Sequence, residues 1–225
     1  MAHHLDQTLA FLRELAQHNH KEWFDAHRDW YGQEKERFRN FTQELIDGVA
    51  CFEPQVAGVS VRQSVFRINR DVRFSKDKRP YKINFASSIS PGGRHSIYGN
   101  YYFHLQPDDQ SFVGGGLYMP GNKILARIRQ EIDYNQSDFL AVVRHCSFTK
   151  NFGQLEGERL KSAPKGYPKD HPMIEYLRMK SFVVTHRMRD DEVLNEHVKT
   201  VILQYFEAMQ PLNAFLSQAV DETET

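Results

Sequence analysis

Hydrophobic positions change their spacing twice along this chain. Near the start, Phe24, Tyr31, Phe38 and Leu45 recur every seven residues with Trp23, Phe41 and Ile46 beside them, the stripe of one long amphipathic helix lying on a core. Asn19 followed three residues later by Glu22 has the pattern of an N-cap with its reciprocal partner, and Gly48 marks the expected end. A shorter helix over about 8–18 precedes it, with Phe11, Leu12 and Leu15 on one face. Between 59 and 118 the period falls to two. Ile83, Phe85 and Ile89 alternate with Lys82, Asn84 and Ser88, while Tyr101, Phe103 and Leu105 alternate with Asn100, Tyr102, His104 and Gln106. Each run predicts a strand with one buried and one wetter face. Pro91-Gly92-Gly93 and Pro107-Asp108-Asp109 read as turns, and short turns between neighbouring strands mean antiparallel pairing. A further strand is expected over 111–119, where Gly114-Gly115-Gly116 signals a bulge or a close backbone approach.

Helical spacing returns after Pro120. Asn122 reads as the cap of a helix carrying Ile124, Leu125, Ile128 and Ile132, and Ser137 as the start of another with Phe139, Leu140 and Val143. A Gly/Pro/Lys-rich loop fills 150–170, a short helix over about 172–180 leads to a strand at 182–187, and a long helix from about Asp190 precedes an acidic tail. The pattern predicts an α+β fold in which residues 1–225 form a single domain. Helices occupy 1–50, antiparallel strands 59–118, and helices with the one further strand 122–225. The sheet is expected to carry its helices on one face, with long helices at both ends of the chain.

Composition agrees with a packed domain: of 225 residues, 40% are hydrophobic and 26% charged, which excludes disorder and fibrous repeats. No apolar run approaches the ~18–20 residues of a membrane span, and the first residues lack the basic flank and apolar core of a signal peptide. Cys51 and Cys146 form no metal or redox motif and suit a reducing compartment. A cytoplasmic protein without a membrane partner is expected; oligomeric state is left open. Twenty-nine basic residues against twenty-nine acidic ones argue against a generic nucleic-acid coat, but not against a local patch.

Such a patch lies between Arg62 and Lys82, where eight basic residues face two acidic ones, Asp71 and Asp77. Three readings are open. The arginines and Ser75 can grip a phosphate or carboxylate; the cations can track a nucleic-acid backbone; or Asp71 and Asp77 can simply pair with neighbouring arginines in a solvated loop. Phe74, Pro80 and Tyr81, interleaved with the charges, predict a packed and shaped loop. A second polar cluster runs from Lys161 through Lys165, Tyr167, Asp170 and His171 to Arg178 and Lys180. Asp170 beside His171 reads first as the cap of a helix opening at Pro172 and second as an acid–base pair. His104 beside Tyr102 is a better-placed titrating group, although it reads first as a hydrogen-bonded structural histidine. No metal-ligand spacing, Walker A sequence, dinucleotide fingerprint or nucleophile elbow occurs, so no metal or cofactor is expected.

Three blocks carry a resemblance: N-H-K-E-W-F at 19–24, R-D-V-R-F-S-K-D-K-R-P-Y-K at 70–82, and L-K-S-A-P-K-G-Y-P-K-D-H-P at 160–172, extended by L-R-M-K-S-F at 177–182. With these the chain resembles the bacterial and fungal domain-of-unknown-function 2461 family from its first helix to its last strand. The resemblance implies a single domain, an intracellular setting and blocks that form one site. It brings no catalytic role.

The residues together point to a basic, concave site for a small phosphorylated or otherwise anionic ligand, with or without catalysis. Arg70, Arg73 and Lys76 are the expected main contacts, beside Arg67, Ser75, Lys78, Tyr81, Lys82 and His104. Lys161, Lys165, Tyr167, Arg178 and Lys180 are expected to complete it, with Asp71, Asp77, Asp170 and His171 in support. A nucleic-acid binding module or a protein-interaction domain is the alternative.

Overall fold

The computed structural model of the chain describes residues 4–221. Helices α1 (Leu5–Gln17), α2 (Lys21–Ala26), α3 (Arg28–Ala50) and α4 (Val61–Ser64) come first, followed by strands β1 (Phe85–Ile89), β2 (Asn100–Leu105) and β3 (Ser111–Leu117). Helices α5 (Asn122–Tyr134), α6 (Gln136–Val143), α7 (Cys146–Phe152) and α8 (Ile174–Leu177) lead to β4 (Phe182–Met188), then α9 (Asp190–Val193) and α10 (Val198–Asp221). The strands form one antiparallel sheet in the order β1-β2-β3-β4, so the α+β class expected from the sequence is the class observed. Contacts gather into two compact units. One holds the chain up to Arg94 with Tyr102–Val113 and Arg187–Gln204; the other holds His95–Tyr101, Gly114–His186 and the chain from Tyr205 onward.

In the first unit the heptad stripe does what its spacing demands. Phe38 of α3 stacks on Phe85 at 5.3 Å, and Phe41 meets Phe103 edge-on at 5.7 Å, while Phe11, Leu12 and Leu15 of α1 are fully buried. A carboxylate also lies in this layer. Glu34 accepts from the Thr8 hydroxyl at 2.8 Å and from Arg37 Nε at 3.0 Å, which compensates its burial. Strand β2 shows the expected alternation, with Tyr101, Phe103 and Leu105 buried and Asn100, Tyr102 and His104 half-buried.

Strand β1 departs from alternation, because all five of its residues are buried. Its outer edge is covered by Val65 and Phe66, and the pairing continues through 68–70 against 80–82, in a stretch without strand periodicity. Val65 bridges Ser87 and Asn69 bridges Tyr81, with Phe66 N–H on the Ala86 carbonyl at 3.0 Å, Lys82 N–H on Ile68 at 2.8 Å and Arg70 N–H on Pro80 at 2.9 Å. The result is an antiparallel arm whose stem is 65–70 against 80–87 and whose tip is the basic loop.

Other boundaries also move. The long N-terminal helix breaks at His27, and α2 is capped by His20, whose Nδ1 accepts from Trp23 N–H at 3.4 Å, not by Asn19. Gly48 lies inside α3, which runs on to Ala50, and α1 begins earlier, at Leu5. Gly121, not Asn122, precedes α5, and α6 opens at Gln136. The 150–170 loop starts only after α7, and the short helix beyond it shrinks to Ile174–Leu177. The C-terminal helix is divided into α9 and α10; the last acidic residues, 222–225, lie outside the described residues. Between β1 and β2 the connection is longer than the expected tight turn, whereas Asp108 and Asp109 turn sharply with φ of 65° and 59°. Asp190 accepts both of their backbone N–H groups at 3.1 Å.

In the second unit, Tyr101 packs on Phe206 of α10 and Phe139 on Phe215. The three glycines of β3 are there because backbone comes too close for side chains. A Cβ on Gly114 would stand 2.7 Å from the Val184 carbonyl oxygen, and one on Gly116 would strike the Phe182 carbonyl. Gly116 also has a φ of +106°, which L side chains rarely adopt. Gly32, inside α3, has open space around it. Gly116→Ala should therefore destabilise the protein by well over 1 kcal/mol, while Gly32→Ala should stabilise it by about 0.5–1 kcal/mol. Urea denaturation midpoints of the two variants check both signs.

Candidate functional site

The arm is fixed from outside by the first sequence block. Asn19 spends its carboxamide on the backbone of Tyr81, donating to the carbonyl at 3.0 Å and accepting the N–H at 3.1 Å. Phe24, in the same block, stacks on the buried Tyr81 ring at 4.0 Å and 15°. Asn19 thus acts as a clamp on the arm, and the first two sequence blocks meet there.

At the tip the cations are largely spoken for. Arg73 chelates Asp71 through Nε at 3.0 Å and Nη2 at 2.7 Å. Arg70 reaches Asp77 at 2.8 Å and the Arg79 carbonyl at 3.0 Å, Arg79 also grips Asp77, and Lys78 Nζ donates to the Val72 carbonyl at 3.1 Å. Hydrogen bonds from Arg73 hold the Asp71 carboxyl below its ordinary range, and those from Arg79 and Arg70 depress Asp77 strongly. Ser75 N–H closes a turn on the Val72 carbonyl. Lys76 is exposed and has no ion pair among the described residues. Phe74 stands 96% exposed, with the Arg73 guanidinium 5.9 Å from its ring centroid.

The stem differs in kind. Lys82 is half-buried, with Nζ 5.4 Å from the centroid of Phe66, whose ring meets Tyr102 edge-on at 6.1 Å. Burial lowers the Lys82 ammonium below its ordinary value, and the charge of Arg67 lowers it further. Among the described residues neither Lys82 nor Arg67 has an ion pair. The carboxylate that feels Arg67, Asp71, is already chelated by Arg73.

Next to this cation pair, His104 stacks on Phe112 at 4.6 Å. Its Nε2 lies 3.0 Å from Gln106 Oε1 and its Nδ1 lies 3.3 Å from the Tyr102 hydroxyl. With Gln106 Oε1 as acceptor, His104 carries its proton on Nε2 and Tyr102 donates to Nδ1. Burial lowers the His104 pKa, and nearby Lys82 adds to the effect; burial pushes the Tyr102 hydroxyl up to about 12. The pair is thus a neutral imidazole and a protonated phenol near neutral pH.

The residues expected from 160–180 belong to the second unit. Arg178 staples its own chain, donating to the Leu160 carbonyl at 2.7 Å and the Lys161 carbonyl at 3.3 Å. Lys180 pairs with Glu158 at 2.9 Å. Lys161 and Lys165 are exposed without ion pairs among the described residues. Asp170 caps no helix, since α8 begins at Ile174 with Met173 before it. His171 turns from Asp170 to Asp133, with Nε2 2.9 Å from Oδ1, while its Nδ1 accepts from Met173 N–H at 3.1 Å. Tyr167 meets the His171 ring edge-on at 5.8 Å, and its hydroxyl is raised by burial first and by Asp133 second. Arg129 donates to the carbonyls of Leu177 and Met179 at 2.7 and 3.2 Å.

Sequence reasoning missed Asp133 and Arg129. The available signal was their four-residue separation, which puts both on one face of a helix otherwise read as core. A cavity of about 330 Å³ in the second unit is lined by Val143, Leu155 and Tyr176 with Gln154, Arg159 and Glu175; no residue expected from the sequence lines it. Among the described residues, no group of three or more His, Cys, Asp or Glu could hold a metal ion, and no helix is long and apolar enough to cross a membrane.

Compared with known proteins, residues 7–215 match the family described as conserved hypothetical protein (DUF2461), and the chain belongs to that family. No curated protein and no solved structure matches.

The His104 geometry has a pH consequence. A base whose folded pKa lies below its ordinary value of 6.5 binds its proton more readily when unfolded. Its contribution to stability is therefore complete above about pH 6.5 and is lost as pH falls below it. Wild type should lose melting temperature between about pH 7.5 and 5.5 more steeply than His104→Gln. Parallel curves would contradict the burial assigned to the ring.

Proposed function

We propose that this member of the DUF2461 family holds a small phosphorylated or otherwise anionic ligand on the stem of the arm, between Arg67 and Lys82. One observation carries the reading: half-buried Lys82 lies close enough to exposed Arg67 for the two charges to repel, and neither forms an ion pair among the described residues. A partly buried charge without a counter-ion is costly. A phosphate supplies the missing negative charge and accepts hydrogen bonds from both side chains. The rings of Phe66, Tyr102 and Phe112 form an apolar wall beside the cations and lower the local dielectric, which strengthens the attraction.

This reading reassigns work within the sequence-based site. Arg70, Arg73 and Arg79, each held by a carboxylate, shape the tip, and the ligand contacts fall to Arg67 and Lys82. Tyr102 and His104 line this site as a hydrogen-bonded pair, the protonated phenol donating to the neutral imidazole. The second-unit residues Lys161, Lys165, Tyr167, Arg178 and Lys180 stand outside the proposal. A cytoplasmic setting belongs to it, supported by Cys51 and Cys146, both exposed and unpaired.

Lys82→Met separates a ligand contact from a structural one. Inorganic phosphate and sugar phosphates at about 100 times their dissociation constants should raise the wild-type melting temperature by about 5 °C or more. The variant should lose that response while its unliganded melting temperature stays level or rises, because a half-buried, repelled charge has been removed. An undiminished phosphate response in Lys82→Met, or no response in wild type, would overturn the assignment.

A further inference from the structure

The strongest unexplained feature outside the stem is Phe74. Its side chain is 96% exposed, more than the other exposed large hydrophobic residues, such as Tyr118 at 75% and Tyr134 at 71%. A ring this exposed contributes nothing to the core, and it sits at the tip of an arm whose stem is hydrogen-bonded and clamped. The loop around it is ordered by its own ion pairs: Arg73 on Asp71, and Arg70 and Arg79 on Asp77. The ring is therefore presented on a shaped support.

Its surroundings state the chemistry of the partner. From Arg70 to Arg79 there are five basic residues and two acidic ones. Lys76 has no partner among the described residues, Lys78 uses one of its three donors on the Val72 carbonyl, and the paired arginines retain unused N–H groups. One open aromatic face surrounded by cation donors fits a polymer that alternates flat rings with negative charges. We infer that the arm tip is a platform for single-stranded nucleic acid, with a base stacked on Phe74 and the flanking phosphates on Arg73, Lys76 and Lys78.

Three other partners fit less well. A bilayer surface would take a wedge of several apolar side chains; here a single ring is flanked by Asp71 and Asp77, which anionic headgroups repel. A folded acidic protein would bury the ring in a groove of its own, leaving salt-sensitive binding without any preference for bases. A duplex hides its bases, so its stacking faces are not available to Phe74. The inference does not depend on the stem anion site, because the tip cations are different residues from Arg67 and Lys82.

Fluorescence anisotropy with a labelled oligothymidylate of about a dozen nucleotides, at low salt, tests it with wild type, Phe74→Ala and Phe74→Trp. Wild type should bind, Phe74→Ala should weaken binding about five- to a hundredfold, and Phe74→Trp should retain it. The logarithm of affinity should fall with the logarithm of salt at a slope of about −2, for three phosphates engaged. Phe74→Ala, exposed as the residue is, should keep the wild-type fold and its melting response to inorganic phosphate. No oligonucleotide binding by wild type would overturn the inference while leaving the stem site standing on its own phosphate response. Equal affinity of wild type and Phe74→Ala, or equally tight and Phe74-independent binding of inorganic polyphosphate, would also overturn it.

Discussion

One carboxamide fixes the part of this protein that carries its charge. By donating to the Tyr81 carbonyl and accepting the Tyr81 N–H, Asn19 gives the arm a partner in residues sixty-two positions earlier in the chain. The ring stack of Phe24 on Tyr81 closes the same junction with apolar contact. An isolated two-stranded ribbon is marginal in water, so the arm needs this second attachment. With it, Lys82 is held next to Tyr81 on a fixed backbone, Arg67 across the ladder is fixed with it, and the tip between them can be both polar and shaped.

The arm then divides into two electrostatic regimes. At the tip, every carboxylate is matched to an arginine two to seven residues away, and such local pairs in solvent add little to stability. They consume the carboxylates, however, and neither stem cation forms an ion pair among the described residues. Arg67 and Lys82 are set against each other and Lys82 is partly desolvated, an arrangement that lowers stability and that a bound anion would relieve. Residues that cost the fold something are expected at binding sites, which is why the stem, and not the more highly charged tip, is the centre of the proposed function.

Much of the architecture was readable from spacing alone. The period-seven stripe placed Phe38 and Phe41 on the sheet, the alternation of β2 placed Tyr102 and His104 on one face, and the triple glycine announced backbone contact. What could not be read was pairing between residues distant in sequence. Asn19 has the local pattern of a helix cap, and only tertiary structure offers it Tyr81 instead of a free N–H in its own helix. Residues 65–70 have no clear period because they form a covering ladder on β1 without becoming a regular strand. His171 likewise looked to its neighbour Asp170, but the carboxylate that reaches its ring comes from Asp133 on α5. Charge density drew attention to 62–82 but carries no information on pairing, and Arg70, Arg73 and Arg79 turn out to hold carboxylates.

The most direct test of the account is the titration of Lys82 Nζ by NMR, assigned by comparison with Lys82→Met, with and without saturating phosphate. Burial and Arg67 should place its pKa below the ordinary 10.5 in the free protein, and phosphate should raise it, because an adjacent anion favours the charged form. An ordinary pKa that phosphate leaves unmoved would show that Lys82 is a solvated surface lysine, and the proposed anion site would fall with it.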